Sequence, residues 1–403
     1  MEFFKKPRKL ASRVCGALLG GAMLVSISSV GSAQEFDPNV DPRAEAYDTV
    51  DQPFELSTSL LGEDSPFTIG GWTQIGYHDK SNGVFNAHPN DVNLHQQWLY
   101  AERVADGSEG LDFGFRFDAV YGVDGPNTQS FGNPPGTFDL DEDFTHGIYG
   151  WALPQIYGEV AYGDLSVKVG HFYTIIGYEV VTAPDNFFYS HAFTFNFNEP
   201  FTHTGVLATY NVNEDITVWN GWTAGWDTGF EQFNDGDDSD GSNYLGGVSV
   251  SLTDTMTAIW ACTIGDFGAI GEGYMNSYVF DWAIADDLNY VFQFDYLHTN
   301  AASPVGGDGG TDSHSFNQYL FYTVNDWMSA GARGEIWTVE DQSYYECTLG
   351  LNLRPDPNVV IRPEVRWQDG LDDTATAFFD RQFGLPTGSA GEAIFGIDAI
   401  LTY

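Results

Sequence analysis

The stretch Leu111-Asp112-Phe113-Gly114-Phe115-Arg116-Phe117-Asp118-Ala119-Val120-Tyr121 decides the fold. In an extended chain Leu111, Phe113, Phe115, Phe117, Ala119 and Tyr121 fall on one side, and Asp112, Arg116 and Asp118 on the other. A period of two with one greasy and one wet face marks a strand lying between two media. The pattern returns where Val359, Ile361, Pro363, Val365 and Trp367 alternate with Arg362, Glu364, Arg366 and Gln368, and where Tyr290, Phe292, Phe294 and Tyr296 oppose Asn289, Gln293 and Asp295. Strands are expected at about 67–77, 92–103, 111–121, 148–162, 165–174, 203–212, 216–226, 244–253, 256–265, 274–285, 288–299, 313–324, 327–339, 344–354, 359–368 and 393–403. Every second join between them is a compact polar turn, as in Gly163-Asp164, Asn213-Glu214-Asp215, Asp254-Thr255, Asp286-Asp287, Asn325-Asp326 and Pro355-Asp356-Pro357-Asn358. The intervening joins include 122–147, 175–202, 227–243, 301–312 and 369–392. That rhythm gathers the long loops at one rim. It predicts an all-β, antiparallel, up-and-down transmembrane barrel of about 16 strands over 67–403, with short periplasmic turns and long extracellular loops. A sandwich with crossing connections would break the rhythm.

Ahead of the barrel, Lys5, Lys6, Arg8, Lys9 and Arg13 precede an apolar run from Val14 to Val30 and the small residues Gly31-Ser32-Ala33. Residues 1–33 read as a secretory signal peptide. Residues 34–66, with Asp37, Asp41, Glu45, Asp48, Asp51, Glu55, Glu63 and Asp64, read as an acidic, flexible periplasmic leader. The whole chain carries a formal charge of −42, and loss of the five signal cations and Glu2 takes it to about −46. A chain this acidic lacks the clustered cations that phosphate backbones require, which excludes nucleic acid as a partner. No apolar run of 18 residues follows the signal, so no spanning helix is expected. Cys262 and Cys347 are expected to face outward on strands nine and fourteen, too far apart to bridge, as reduced, small apolar surface residues.

The same register places Arg103, Arg116, Lys168, Arg333, Arg354, Arg362 and Arg366 on the wet face, together with Asp112, Asp118, Glu159, Asp281, Asp295, Glu335, Glu346, Glu364 and Asp398. A basic group facing lipid near the midplane costs about 2–4 kcal/mol, so a barrel demands lumen placement. These residues are the expected pore lining. Strands thirteen to fifteen concentrate Arg333, Glu335, Glu346, Arg354, Arg362, Glu364 and Arg366 on one wall. They form either a charged constriction that orients polar solutes or a ladder of ion pairs that stiffens the wall.

Within the third long loop, 175–202, the run Phe187-Phe188-Tyr189-Ser190-His191-Ala192-Phe193-Thr194-Phe195-Asn196-Phe197 is too apolar to stand in water. Folding into the lumen, where Phe187, Phe188, Tyr189, Phe193, Phe195 and Phe197 would narrow the pore, is preferred to packing at a subunit seam.

Gly170-His171-Phe172-Tyr173-Thr174, Gly177-Tyr178-Glu179-Val180, Asn186-Phe187-Phe188-Tyr189-Ser190 and Pro200-Phe201-Thr202-His203-Thr204-Gly205-Val206 together resemble the central signature of the OmpL-like β-barrel porin family. The strand rhythm extends that likeness over most of 67–403, although the acidic leader and acidic loops lie outside the signature. The resemblance implies a channel in a bacterial outer membrane and brings with it no substrate and no catalytic residue. The last strand alternates Ile397, Ala399, Leu401 and Tyr403, ending on an aromatic residue, which resembles the signal read by the outer-membrane assembly machinery.

Other chemistry is thinly represented. Residues 235–241 look like a calcium loop, but the glycine is misplaced and no bidentate Glu follows, so an EF-hand is rejected. The acidic loops are expected to form a solvated rim, and no metal or cofactor is expected. There is no G-x-S-x-G, H-E-x-x-H or G-x-x-x-x-G-K. Ser190 and His191 are adjacent in sequence, a spacing that rarely gives the geometry of a hydrolase pair, so no catalytic residue is expected. The function that results is passive diffusion of small hydrophilic solutes through a water-filled barrel in contact with outer-membrane lipid. A homotrimer is compatible with this size. The alternatives are a solute-selective channel, a secreted sugar-binding β-protein and a barrel adhesin.

Overall fold

The computed structural model describes residues 53–230, 241–300, 310–371, 375, 391 and 393–403. The signal peptide, the leader up to residue 52, loop residues 231–240 and 301–309, and Asp372, Asp373 and Arg381 lie outside the described residues. Sixteen long strands form one antiparallel sheet: β1 Thr68–His78, β2 Val92–Arg103, β3 Asp112–Gly122, β4 Tyr149–Tyr162, β5 Leu165–Tyr173, β6 Thr202–Asn213, β7 Ile216–Thr223, β8 Ser242–Thr253, β9 Met256–Asp266, β10 Glu272–Ala285, β11 Leu288–Thr299, β12 Thr311–Asn325, β13 Met328–Val339, β14 Gln342–Asp356, β15 Val359–Gly370 and β16 Ala393–Thr402. A two-residue ribbon, Thr145–His146, pairs only with Gly150 and Tyr149. Neighbours in sequence are neighbours in the sheet. The first and last strands then pair, from Trp72 opposite Thr402 to His78 opposite Gly396, and the sheet closes into a barrel with no free edge.

Two-residue turns join β4 to β5, β6 to β7, β8 to β9, β10 to β11, β12 to β13 and β14 to β15, all at one rim. The opposite rim carries the longer joins, except for residues 267–271 between β9 and β10 and Glu340 and Asp341 between β13 and β14, while the turn rim also holds the eight residues 104–111 between β2 and β3. The outer surface is the apolar parity. Phe113, Phe115, Phe117, Val160, Val169, Trp222, Phe280, Leu320, Leu349 and Leu401 are all exposed. In a soluble protein such rows would be a core; around a closed barrel they form a belt for hydrocarbon, and the protein is in contact with lipid. Among the described residues no helix is long and apolar enough to cross a membrane.

Two expectations are corrected. The pairing of β2 with β1 slips between Gln74 and Ile75, whose partners are Gln96 and Leu94, leaving His95 as an extra residue. This bulge reverses the alternation below it, so Arg103 pairs with outward-facing Phe115 and does not line the lumen. Its guanidinium turns back to Asp112 at the strand end, at 3.0 Å, which a long side chain near the membrane edge can do. Cys262 and Cys347 are free thiols on the outward parity, yet both are buried. Cys347 packs with Tyr345 and Ile336. A small residue between bulky neighbours is covered even on the outer wall.

Candidate functional site: the barrel interior and loop 174–201

The join between β5 and β6, residues 174–201 and here L3, contains a 3-10 turn at Ala183–Asp185 and a six-residue helix at Phe193–Asn198. Side chains from β2, β11, β12, β13 and β15 all bind this one segment. Strands so far apart around the ring can share a partner only if it lies inside the barrel.

On β15, Arg362 donates to the carbonyls of Ala183 at 2.8 Å and Asn186 at 2.6 Å while its Nε donates to Asp398 of β16 at 3.0 Å. One turn of the pleat higher, Glu364 accepts from the backbone N–H of Tyr189 at 3.0 Å and of Ser190 at 3.2 Å. Higher again, Arg366 donates to the His191 carbonyl at 2.6 Å. The i, i+2, i+4 spacing of one strand face therefore reads three successive parts of L3. On β13, Glu335 accepts from Phe193 N at 2.6 Å and Thr194 N at 2.7 Å. These are the free N–H groups at the start of the Phe193–Asn198 helix, which a carboxylate satisfies well. Arg333, fully buried, donates to the Ser190 carbonyl at 2.6 Å, to Glu179 at 2.7 Å and to Glu346 at 2.6 Å.

Glu179 is the acid of L3 that Arg333 binds. It also accepts from Ala192 N at 2.9 Å and from the Tyr319 hydroxyl at 3.2 Å, and it contacts His191 Nδ1 at 3.1 Å. Burial alone would raise its pKa, but Arg333, His191 and the Ala192 amide outweigh burial and hold it at about 2. Near the end of L3, burial and then the neighbouring Asp295 push the Glu199 carboxyl well above its ordinary range. Gln293 donates to both carboxylates. On β2, Gln96 donates to the Val181 carbonyl at 2.8 Å and accepts from Ala183 N at 3.1 Å, and His95 Nε2 lies 2.7 Å from the Tyr189 hydroxyl.

The aromatic rings have room because glycines stand in the wall opposite them. A Cβ at Gly331 of β13 would overlap the Phe187 ring, and one at Gly76 of β1 would overlap Tyr189. Phe187, Phe188, Tyr189, Phe193 and Phe195 are buried, and Phe197 stacks on Trp337 with ring centroids 5.3 Å apart. Phe195 stacks on Phe201 at 4.6 Å and on His191 at 4.2 Å.

The charged residues thus fall into two sets. Arg333, Glu335, Glu346, Arg362, Glu364 and Arg366 are all buried, as are Asp118 and Asp295. Glu159 and Lys168 are cross-strand partners on the inward face, and both keep partial exposure. Arg116 is paired with Glu102 at 2.7 Å and with Asp118, its guanidinium 4.0 Å above the Tyr100 ring. The Lys168 ammonium lies 4.9 Å over the Tyr157 ring. Asp112, Asp281 and Arg354 keep the inward parity with partial exposure, Asp112 at the rim beside Arg103. Glu179, Glu199, Gln96, His95 and Gln293 belong to the site although the strand pattern alone gives them no role in it. The signal for Glu179 was in view, since it is the one acid between Tyr173 and Pro184. Among the described residues there is no group of three or more His, Cys, Asp or Glu that could hold a metal.

Comparison with known proteins places this geometry. The outer-membrane channel DcaP of Acinetobacter baumannii is similar in structure, with a TM-score of 0.55 over 84% of this chain and 97% of that one at 9% identity. An anion-selective porin from Comamonas acidovorans gives a TM-score of 0.54 over 84% and 99% at 11% identity. The trimer form of OmpT from Vibrio cholerae gives 0.51 over 84% and 99% at 10% identity. At such identities the likeness concerns the fold alone. No curated protein sequence matches the chain. The sequence profile of the beta-barrel porin-2, OmpL-like family matches residues 66–403, which is the whole barrel from the residue before Phe67 to the terminal Tyr403. The chain therefore belongs to the OmpL-like β-barrel porins, channels of the bacterial outer membrane.

Proposed function

We propose that the protein passes small hydrophilic solutes by passive diffusion through a water-filled path beside L3, which narrows the lumen, and that it does no covalent chemistry. The observation that carries this reading is the seat of L3: carboxylates and guanidinium groups of β13 and β15 bind its backbone inside the barrel. A loop held by its main chain is fixed in place whatever its side chains do, as a stationary constriction requires. Deleting 187–197 should raise single-channel conductance in planar bilayers. Unaltered conductance would remove L3 from the conduction path.

The two sets of charge then divide the work. The buried wall around Arg333, Arg362 and Arg366 holds the loop, and the partly exposed Lys168 and Glu159 meet the solute. Lys168→Gln should shift the reversal potential toward cation preference and Glu159→Gln toward anion preference. Arg366→Gln should act on conductance more than on selectivity. A solute-selective channel is the second reading, favoured by the extent of wall that L3 covers; its flux would saturate with solute concentration where a general pore would not. A homotrimer, and recognition of the terminal strand by the assembly machinery through Tyr403, belong to the same proposal.

A further inference from the structure

We infer that residues 54–67, at the inner end of the leader, form a phospholipid-binding collar on the periplasmic edge of the barrel. Its partner is the glycerophospholipid of the adjoining leaflet. The segment is docked to the barrel's rim. Phe54 N donates to Asn358 Oδ1 at 2.7 Å, and Asn358 Nδ2 donates back to the Phe54 carbonyl at 2.9 Å and to the Thr402 carbonyl at 3.0 Å. Asn358 sits in the β14–β15 turn, so the chain runs from that turn past the end of β16 to the start of β1. On the way it forms the helix Leu56–Leu61, tied by Ser57 Oγ donating to the Phe67 carbonyl at 3.1 Å.

No residue of this helix is buried. Phe54 is 53% exposed, Leu60 65%, Leu61 42% and Phe67 45%, a concentration of large apolar side chains that a water-facing segment would not carry. The patch continues the lipid belt. The Phe67 ring lies 6.2 Å from that of Phe115, an outward residue of β3, and Phe54 shares a groove with Pro357, Leu401 and Tyr403. Leu401 is itself on the outward face, opposite Val359 and Thr73. Exposed acids, Glu55, Glu63 and Asp64, flank the apolar residues. A short apolar face continuous with a hydrocarbon belt suits the upper acyl region of a bilayer, with these acids turned toward water.

The test uses the full mature chain refolded into phosphatidylethanolamine and phosphatidylglycerol vesicles, with a nitroxide at Phe54→Cys or Leu60→Cys. Leu401→Cys serves as the lipid reference and Glu63→Cys as the water reference. The native Cys262 and Cys347 are buried, and treatment of the unmutated chain gives their background. Collision rates with oxygen, which partitions into lipid, and with a water-soluble nickel chelate are compared. The expected result is an oxygen-to-nickel ratio at positions 54 and 60 several-fold above that at 63 and close to that at 401. A ratio matching position 63 would place the collar in water. Shielding from both reagents would mean that protein covers it, either the leader ahead of residue 53 or a second copy, and would equally overturn the inference.

Discussion

Replacing Arg333 by Met should release the centre of L3. The guanidinium is fully buried and binds the Ser190 carbonyl, Glu179 and Glu346 together, at 2.6, 2.7 and 2.6 Å. Its loss takes the nearest guanidinium from two buried carboxylates, leaving Glu179 its contact with His191 and Glu346 the Arg366 guanidinium at 3.8 Å, and breaking a buried pair from one side costs about 3–5 kcal/mol. A second route gives a similar size. The Glu179 carboxyl lies at about 2 against an ordinary 4.5, a difference worth about 3 kcal/mol of interaction with the ionised form, in which Arg333 is the leading favourable contribution. About 3 kcal/mol shifts the ratio of displaced to seated loop by about a hundredfold, since each 1.4 kcal/mol is tenfold. The assay is single-channel conductance with limited proteolysis of 187–197 on the same refolded sample. Larger or fluctuating conductance with new cleavage in that segment is expected. The triple change Arg333→Met, Glu179→Gln, Glu346→Gln removes the stranded charges and should restore much of the seated state, a cycle that separates the latch from general loss of stability. Unchanged conductance and a still-protected loop in Arg333→Met would refute the reasoning, because the latch would then carry no weight.

Acidification should loosen the same latch: a carboxyl depressed in the folded state stabilises it above the ordinary pKa and loses that contribution as pH falls toward about 2, so conductance should rise between pH 4.5 and 2.5 and recover on return. Asp227, with φ of 52°, accepts from Phe201 N at 2.6 Å and Thr202 N at 3.0 Å, and burial raises its pKa to about 7. A raised acid favours the protonated fold, so its ionisation weakens stability as pH climbs from about 4 through 7. Asp227→Asn keeps an acceptor and tolerates that backbone; its thermal midpoint should exceed the parent's at pH 8 and match it at pH 4, and a lower midpoint at pH 8 would contradict this. Gly331→Val should unseat Phe187 without opening the sheet, detected as cleavage within L3 in a barrel that keeps its β-sheet circular dichroism. Arg103→Gln should leave the reversal potential where it was, as an outward side chain must; a shift would put Arg103 back in the lumen.

What could be read from sequence was what a period of two carries. Strand positions agree to within a few residues because each outward face meets hydrocarbon, and a polar residue there is costly enough to keep the alternation clean. The alternation fails where the backbone itself departs from it. Val92 and Leu94 open β2 with outward side chains, and counting on in twos puts Arg103 inside; the extra residue His95 turns Leu99 outward, and Arg103 with it. Nothing in the composition of 92–103 marks that bulge. The apolar run 187–197 was legible as a segment needing burial, but its partners were not, because main-chain groups of L3 carry no sequence label. Glu335 and Glu364 bind backbone N–H groups, and Arg362 and Arg366 bind backbone carbonyls, so sequence alone leaves each free to be paired with another charge across the wall. A charged residue opposite another charge on a strand face suggests an ion pair, and some here are: Arg333 with Glu346, and Arg362 with Asp398. The others face a loop that enters from over a hundred residues away in sequence. Only closure of the barrel brings them together, and a polar wall that directs its hydrogen bonds to a backbone is first of all a scaffold for the loop it holds.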